Sequence, residues 1–328
     1  MKVEKITEVC RFSVVKQVLV ANISICIPAY KRIEFLRRLL DSIAVQTYTD
    51  FEVIVSDDSP ANDVEILCHL YMNKMALKYF KNNPALGTPE NWNQAMRQAN
   101  GSWIKLMHDD DWFSHKDSLL KFVNAINTTP ECDFIFSAYN NVNEDTGKTK
   151  PVFMNRFRKR KMLENPVTLI ANNVIGPPSV IIHKNNKQHW YDKSVKWVVD
   201  MDFYIRFLQT TAPYHINEAL INVGVNKEQV TQYTFGVPEV HLKENFYLLN
   251  KVGGKHLRNL IVFDAWWRLI RNFSVRDAAQ IRNIGYKGPV PGLIIKMISF
   301  QKNIPKAILK QGLFSKLLMT VCYIINKK

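Results

Sequence analysis

Three short apolar runs, each followed at once by polar residues, constrain the fold more than any other feature of this sequence. They are Ile23–Pro28, Phe51–Ser56 and Trp103–Met107. Each has the length and uniform apolarity of a strand that is buried on both faces. Between the first two runs, apolar residues recur at helical spacing from Ile33 to Ile43. The order strand, helix, strand therefore predicts a βαβ unit and an α/β fold with a mostly parallel sheet.

The polar residues that follow these strands predict where a ligand binds. Pro28–Tyr30, Asp57–Ser59 and His108–Asp111 come at the ends of the three apolar runs. In an open parallel sheet the ligand crevice lies beyond the carboxyl ends of the strands. We therefore expect these three segments to meet in one crevice.

Carboxylates dominate the predicted crevice. The carboxylates of Asp57, Asp58, Asp109 and Asp110 cannot all be ionised side by side without a cation, because their repulsion would raise their pKa values, and Ser59 adds a neutral hydroxyl beside them. Hard oxygen ligands suit Mg²⁺ or Mn²⁺, which also bind substrate phosphates. The pattern thus indicates a divalent ion with a diphosphate. An ordinary helix cap or solvated loop is the alternative for an aspartate-rich turn.

Glycine-rich phosphate loops are absent from the sequence. Neither G-x-G-x-x-G nor G-x-x-x-x-G-K-[ST] occurs in it. The phosphates of a nucleotide should therefore be held by a metal rather than by backbone amides. A receiver-type phosphoacceptor domain is disfavoured, because no lysine-bearing strand stands at the expected later place in the sheet.

Positive charge is concentrated in the C-terminal half. The chain has 328 residues and a net charge of +15, and residues 151–328 hold 27 lysines and arginines against 10 acids. Nine basic residues and no acidic residue follow Asp277. Such a tail attracts polyanions, either nucleic acid or an anionic lipid surface. Regularly spaced lysines among Leu, Ile and Phe after Pro289 predict basic amphipathic helices that dock on a membrane, with a packed helical pair as the alternative.

Cysteine usage and hydropathy favour a cytoplasmic protein. The five cysteines are scattered and odd in number, which indicates neither a disulfide framework nor a cysteine-rich zinc site. No apolar stretch approaches the roughly 20 residues of a membrane-spanning helix, and charges interrupt the N-terminal segment where a signal peptide needs apolar residues. We expect a protein that is peripheral on the inner face of the membrane.

Six segments in this order resemble the ordered motifs of the family 2 glycosyltransferases. They are Ile25–Arg32, Ser42–Tyr48, Phe51–Ser59, Asn83–Gly87, Gly101–Asp111 and Trp197–Arg206, and the resemblance covers about residues 22–235. It implies an inverting nucleotide-diphosphosugar transferase with the Rossmann-like GT-A fold, a mostly parallel sheet flanked by helices. The implied domains are 1–235, with a nucleotide-sugar half at about 22–112 and an acceptor half at about 113–235, and a basic helical extension at 236–328.

The resemblance also implies roles for individual residues. Tyr30 would stack on the nucleobase, and Asp58 would accept from a base N–H. Asp110 would bind Mg²⁺ or Mn²⁺ with Asp109 beside it, whereas Asp111 would cap the next helix. His108 stands where many relatives carry an aspartate. The other implied nucleotide-binding residues are Pro28, Asp57, Ser59, Asn83, Gly87 and Asp109.

Asp200 matches the catalytic base of that family. It would deprotonate an acceptor hydroxyl, which attacks the anomeric carbon in line and inverts its configuration. Val199 departs from the commoner E-D-x-D pattern, and simple capping of the following helix is the alternative role for Asp200. Ser179 and Asp202 are placed on the acceptor side, and Gln229–Thr231 resembles another family segment near the acceptor and the diphosphate.

Two other classes of protein stay open as alternatives. A sugar-phosphate nucleotidyltransferase has a similar sheet, but it usually opens with a glycine-rich loop that Pro28–Arg32 lacks. A basic nucleic-acid-binding or membrane-binding protein without catalysis fits the charge, but an acidic crevice repels nucleic-acid phosphates and no nucleic-acid motif occurs. We therefore expect a UDP-sugar donor, no nucleic acid, and a saccharide acceptor, polyprenyl-linked at the membrane, in cell-surface polysaccharide synthesis.

Overall fold

A mixed β-sheet forms the centre of the structure, a computed structural model that describes residues 22–226 and 236–326. Its nine strands in these residues are β1 Ile23–Ala29, β2 Phe51–Asp57, β3 Leu77–Lys81, β4 Trp103–Leu106, β5 Asp111–Phe113, β6 Phe134–Asn143, β7 Thr149–Val152, β8 Ile181–Lys184 and β9 Pro213–Val225. Eight of them lie in the order β3-β2-β1-β4-β8-β6-β9-β5, and β7 pairs with β6.

The strands that carry the polar turns are parallel neighbours. β1 pairs with β2 from Ile23 opposite Phe51 to Ala29 opposite Asp57, and its other edge pairs with β4. β8 runs antiparallel to both β4 and β6, so β6 and its parallel partner β9 point the same way as β1. The carboxyl ends of β1, β2 and β4 therefore meet at one edge, which is where a crevice forms in such sheets.

Helices connect and cover the strands. The first six are α1 Ile33–Ala44, α2 Asp63–His69, α3 Glu90–Arg97, α4 Ser118–Thr128, α5 Arg156–Glu164 and α6 Val199–Leu208. α1 shows why these segments are helical, since its buried side chains, Leu36, Leu39, Leu40 and Ile43, recur three and four residues apart. That spacing lines one face of a helix and packs it on the sheet.

The C-terminal part of the chain is helical. Its helices are α7 His241–Val252, α8 Leu260–Asn272, α9 Ala278–Asn283, α10 Gly292–Lys302, α11 Lys306–Lys310 and α12 Gly312–Asn326. One apolar core contains Phe203 of α6 together with Trp266 and Trp267 of α8, so the core continues across the expected boundary at residue 235. Within the described residues, no helix combines the length and the apolar character that crossing a bilayer requires.

Candidate active site

One cleft of about 1250 Å³ opens at the carboxyl ends of β1, β2 and β4. Asp58 and Asp110 lie on its sheet side, and Asp200 lies on the side formed by the start of α6. Residues of the later helices complete that second side: His241 and Asn245 of α7 and Arg268 of α8. The cleft thus brings together three acidic turns that are far apart in sequence.

Asp58 organises the loop that follows β3. Its Oδ1 accepts from Asn82 Nδ2 at 2.8 Å and from the Leu86 amide at 3.0 Å, and its Oδ2 accepts from the Gly87 amide at 2.7 Å. Gly87 has a φ of +72°, a left-handed conformation that favours glycine. A carboxylate has about four lone-pair sites, so Asp58 retains an acceptor position for a ligand at the cleft.

Not all of the predicted nucleotide-binding residues reach the cleft. The lining residues include Pro28, Tyr30, Asp58, Gly87 and Asp109, and the ring of Tyr30 is 50% exposed. The other predicted residues, Asp57, Ser59 and Asn83, are not among them.

Each of these three residues is kept out of the cleft by a contact or a position that the sequence does not reveal. The Asp57 carboxylate is fully buried and accepts from Tyr79 Oη at 2.7 Å and from Lys81 Nζ at 3.0 Å. The buried Ser59 accepts from the Lys31 amide, which fixes the turn after β1. Asn83 is exposed on the loop, and its neighbour Asn82 makes the contact with Asp58.

Arg32 supplies a positive charge to the acidic turn His108–Asp111. Its guanidinium donates from Nη1 to Asp110 Oδ2 at 2.9 Å and from Nη2 to Asp109 Oδ1. Burial raises the pKa of Asp109 to about 7, with Asp110 acting in the same direction, whereas Arg32 and the Tyr30 amide lower it. The repulsion expected among the aspartates is therefore relieved in part by the protein itself.

A group of three side chains can hold a divalent ion. Ligand atoms of His108, Asp110 and Asp111 all lie within 4.8 Å of one another. The buried His108 Nε2 has no hydrogen-bond partner among the described residues, and burial lowers the pKa of this imidazole to about 4. A neutral imidazole with an unused nitrogen and two carboxylates suits Mn²⁺ or Mg²⁺.

This group differs from the expected metal pair. Asp109 is not in it, and its Oδ1 is paired with Arg32. Asp111 does not cap a helix but begins β5, where its carboxylate accepts from the Gly224 amide at 3.2 Å. Burial, and then the neighbouring Asp110, raise the pKa of Asp111 well above its ordinary value.

Ser179 supports the acidic turn from behind and does not line the cleft. It is fully buried, and its Oγ accepts from the His108 amide at 2.9 Å. Its carbonyl accepts from Lys105 Nζ, a buried ammonium whose pKa burial lowers to about 7. Ser179, which was expected on the acceptor side, therefore does not reach the cleft, whereas the adjacent Pro177 and Pro178 do line it.

Asp200 and Asp202 occupy opposite sides of α6. Asp200 lines the cleft, and no side chain or amide of the described residues makes a hydrogen bond or ion pair with it. Burial raises its pKa to about 7. Asp202 is buried on the other side, where Arg206 and Lys251 pair with it at 2.8 and 2.7 Å. Asp202, which was expected on the acceptor side, is turned away from the cleft by the helical geometry.

Sequence reasoning missed several residues of this site. Arg32 follows directly after the first strand motif, and a basic side chain there was the available signal for a counter-ion. His241, Asn245 and Arg268 carried no signal, because they reach the cleft only through the packing of α7 and α8. The predicted segment Gln229–Thr231 lies outside the described residues.

Comparison with known proteins identifies the family. The model of glycosyl transferase family 2 matches residues 24–187, half of the chain. The chain belongs to this family. An uncharacterized glycosyltransferase of Rickettsia typhi is 27% identical over 218 residues, which are 64% of this chain and 65% of the relative's own length. A GalNAc(5)-diNAcBac-PP-undecaprenol beta-1,3-glucosyltransferase of Campylobacter jejuni is 33% identical over 92 residues, which are 27% of this chain and 30% of that protein.

Two solved structures share the fold of this chain. TarS of S. aureus, residues 1–349 in complex with UDP-GlcNAc, superposes with a TM-score of 0.59 at 18% identity, covering 93% of this chain and 89% of that one. A mannosyltransferase of Pyrobaculum calidifontis in complex with GDP-Man and Mn²⁺ superposes with a TM-score of 0.55 at 14% identity, covering 94% and 86%. The family member described here therefore has the GT-A architecture with a helical C-terminal region.

Proposed function

We propose that this chain transfers a sugar from a nucleotide-diphosphosugar, a UDP-sugar, to a hydroxyl of a saccharide acceptor with inversion of configuration. The observation that carries the proposal is the division of one cleft between two kinds of carboxylate. Asp58 and Asp110 on the sheet side are held by hydrogen bonds, whereas Asp200 on the opposite side is unpaired within the described residues. The first kind suits binding of a nucleotide and a metal, and the second suits proton transfer.

The donor would lie along the sheet side of the cleft. Tyr30 offers a half-exposed ring on which a nucleobase can stack, and Asp58 offers an acceptor position for a base N–H. His108, Asp110 and Asp111 would hold Mn²⁺ or Mg²⁺ next to the diphosphate. The bound ion would neutralise the charge that grows on the leaving diphosphate.

The proposed reaction is a single displacement. Asp200 accepts the proton of the acceptor hydroxyl, and the oxygen forms a bond to the anomeric carbon while the bond from that carbon to the diphosphate oxygen breaks. The products are a glycoside of inverted configuration and a nucleoside diphosphate. A carboxylate with a pKa near 7 is well matched to this step, since about half of it is ionised at neutral pH and the ionised form accepts a proton readily.

Two variants test the proposal on a panel of nucleotide sugars with Mn²⁺ or Mg²⁺. We expect Asp200→Asn to keep nucleotide binding and to lose transfer at least 100-fold, and Asp110→Ala to lose the metal-dependent part of nucleotide affinity. Glu239→Ala, an exposed carboxylate outside the cleft, is the control. Normal transfer by Asp200→Asn would contradict the base assignment. Formation of a nucleoside triphosphate and a sugar 1-phosphate when pyrophosphate is added to the same panel, rather than release of a nucleoside diphosphate, would instead identify a nucleotidyltransferase.

We extend the proposal to a lipid-linked acceptor at the cytoplasmic face of a membrane, in cell-surface polysaccharide synthesis. The name of the Campylobacter jejuni relative describes an undecaprenol-diphosphate acceptor, which supports this direction. The structure supplies an independent reason in the outer face of α12. Six apolar side chains recur there at helical spacing and are 47–74% exposed: Leu313, Phe314, Leu317, Val321, Ile324 and Ile325.

Charge favours an anionic lipid surface as the occupant of this face. Lys306, Lys310 and Lys316 lie beside it in sequence, and no acidic residue follows Asp277. A helix with exposed apolar side chains and lysines gains free energy both from apolar burial and from attraction to anionic headgroups, about 1 kcal/mol per lysine. We therefore propose that α12 rests in the interface of the membrane.

Flotation with liposomes tests the docking face. We expect the full chain to float with vesicles that contain phosphatidylglycerol and not with pure phosphatidylcholine, and Leu313→Ser/Leu317→Ser to reduce flotation about tenfold. Ile66→Ser, which removes an equally exposed apolar side chain from α2, should float normally. Equal flotation of both variants would overturn the proposal. A dimer that Leu313→Ser/Leu317→Ser dissociates, without any flotation, would make α12 an interface between copies.

A further inference from the structure

The segment that leads into α6 depends on a contact with α7. The N-cap residue of α6, Val198, provides no side-chain hydrogen bond to the helix. The amides of Lys196, Trp197 and Val198 instead all point to one carboxylate, that of Glu244 on α7. Glu244 is 9% exposed, so the carboxylate that accepts these hydrogen bonds has little access to water.

Three consecutive backbone amides form an anion-binding site here, and the Glu244 carboxylate occupies it. Glu244 Oε2 accepts from the three amides at 2.9, 2.7 and 3.3 Å, and Oε1 accepts from the Lys196 amide at 3.0 Å. Consecutive backbone N–H groups form a concave site for an anion. A buried carboxylate that lost these donors would be left poorly satisfied, so the contact holds the segment firmly.

A second contact between the same helices lies one turn further along α6. Lys251 of α7 pairs with Asp202 Oδ1 at 2.7 Å and with Asp192 Oδ2 at 2.7 Å. α7 therefore contacts α6 on both sides of Asp200: Glu244 binds the segment before Asp200, and Lys251 binds Asp202 after it. Neither contact uses the Asp200 carboxylate, which is left facing the cleft.

We propose that Glu244 is a positioning residue for transfer, which anchors the start of α6 so that the Asp200 carboxylate stays unpaired and in place at the cleft. This inference rests on the proposed role of Asp200 as the base. It also assigns part of the C-terminal region to the catalytic machinery. A base must stand within hydrogen-bond reach of the acceptor hydroxyl, and a displacement of about 1 Å can reduce the rate about 100-fold.

The surroundings of Asp200 define what a pH profile would report. The charged and titratable groups on its side of the cleft are Lys196 before α6, His241 on α7 and Arg268 on α8. Burial raises the pKa values of Tyr191 and Tyr204, and the negative charge of Asp200 is the next largest cause. Burial is the cause of the raised pKa of Asp200, so admission of water should lower it.

Glu244→Ala is the main test, measured with the full chain, Mn²⁺ and the best donor of the nucleotide-sugar panel. We expect kcat to fall 10- to 100-fold, the Kd for UDP with Mn²⁺ to change less than twofold, and the acid limb of the kcat/KM profile to move at least 0.5 pH unit lower, because water that solvates the freed amides also reaches Asp200. Glu244→Gln keeps an acceptor oxygen for the amides and should recover kcat to within about fivefold.

Matched variants separate positioning from folding. Glu239→Ala removes an exposed carboxylate shortly before α7 and should behave as the wild type. If Glu244→Ala does not fold, Lys251→Met loosens the same pair of helices from the other contact and should lower kcat without weakening UDP binding. Wild-type kcat and pH profile in Glu244→Ala would overturn the inference. Should Asp200→Asn also transfer normally, the proposed base itself would fail, which is a distinguishable result.

Discussion

The two sides of the cleft hold carboxylates in opposite states. On the sheet side, Asp58 accepts three hydrogen bonds, and Asp109 and Asp110 share the guanidinium of Arg32. On the helical side, Asp200 has no hydrogen-bond or ion-pair partner among the described residues, and burial raises its pKa to about 7. The difference teaches that this fold holds in place the carboxylates proposed to bind the nucleotide and the metal. It leaves without a partner the carboxylate proposed to accept a proton.

A second comparison, between buried and exposed helix faces, lies within the C-terminal region. α7 and α8 bury their apolar faces in the common core and place His241, Asn245 and Arg268 at the cleft. α12 buries Ser315, Met319 and Cys322 but leaves its outer apolar face exposed. A stretch that reads as one basic extension in sequence therefore divides into helices that build the site and a helix with a free surface.

Among the variants that test the comparison of the two sides, loss of Arg32 should have the largest effect, which is on the free energy of unfolding. Arg32→Met leaves Asp109 and Asp110 without their cation, and we expect the free energy of unfolding to fall by about 2 kcal/mol, less than for a fully buried pair because Arg32 is partly exposed. Mn²⁺ should restore more of the melting temperature in this variant than in the wild type. Arg37→Met, which loses a 3.8 Å contact with an exposed Glu34, is the control. Identical melting of both variants would show that Arg32 does not stabilise the turn.

Asp200→Asn should stabilise the fold in a pH-dependent way. A carboxyl whose pKa rises from about 4 in the unfolded chain to about 7 in the folded one holds more protons when folded, so stability falls as pH rises through that window. The asparagine variant should therefore melt a few degrees higher than the wild type at pH 8 and at the same temperature at pH 4. Thermal melts of Asp202→Asn, which loses two ion pairs, should show the opposite sign at pH 8. A melt at pH 8 without stabilisation would mean that Asp200 is not isolated.

Two neighbouring asparagines provide the finest test of the sheet side. Asn82→Ala removes the hydrogen bond to Asp58 Oδ1, and we expect UDP affinity to fall about fivefold, corresponding to about 1 kcal/mol. Asn83→Ala alters an exposed side chain that does not line the cleft and should change affinity less than twofold. Titration calorimetry with UDP and Mn²⁺ measures both. A larger loss for Asn83→Ala would return that residue to the nucleotide site.

The sequence was informative wherever a local pattern carries the physics. Apolar runs and helical spacing predicted the parallel strands and α1, and the polar turns after β1, β2 and β4 predicted one crevice. The family resemblance is confirmed by the family model, and the fold is confirmed by the solved structures. The same patterns could not tell Asp58 from Asp57, because adjacent residues of a strand end point in different directions and only contacts distinguish them.

The sequence by itself therefore determined the parallel strands of the first half, the family, and the turns that would hold a ligand. The tertiary structure alone decided which carboxylates are paired, since Arg32, Lys81, Lys251 and Glu244 reach their partners across long sequence separations. It also decided that the helices after residue 235 help to form the cleft. The physical reason is that apolar periodicity is a property of neighbouring residues, whereas pairing and burial of charge depend on what the whole chain packs together.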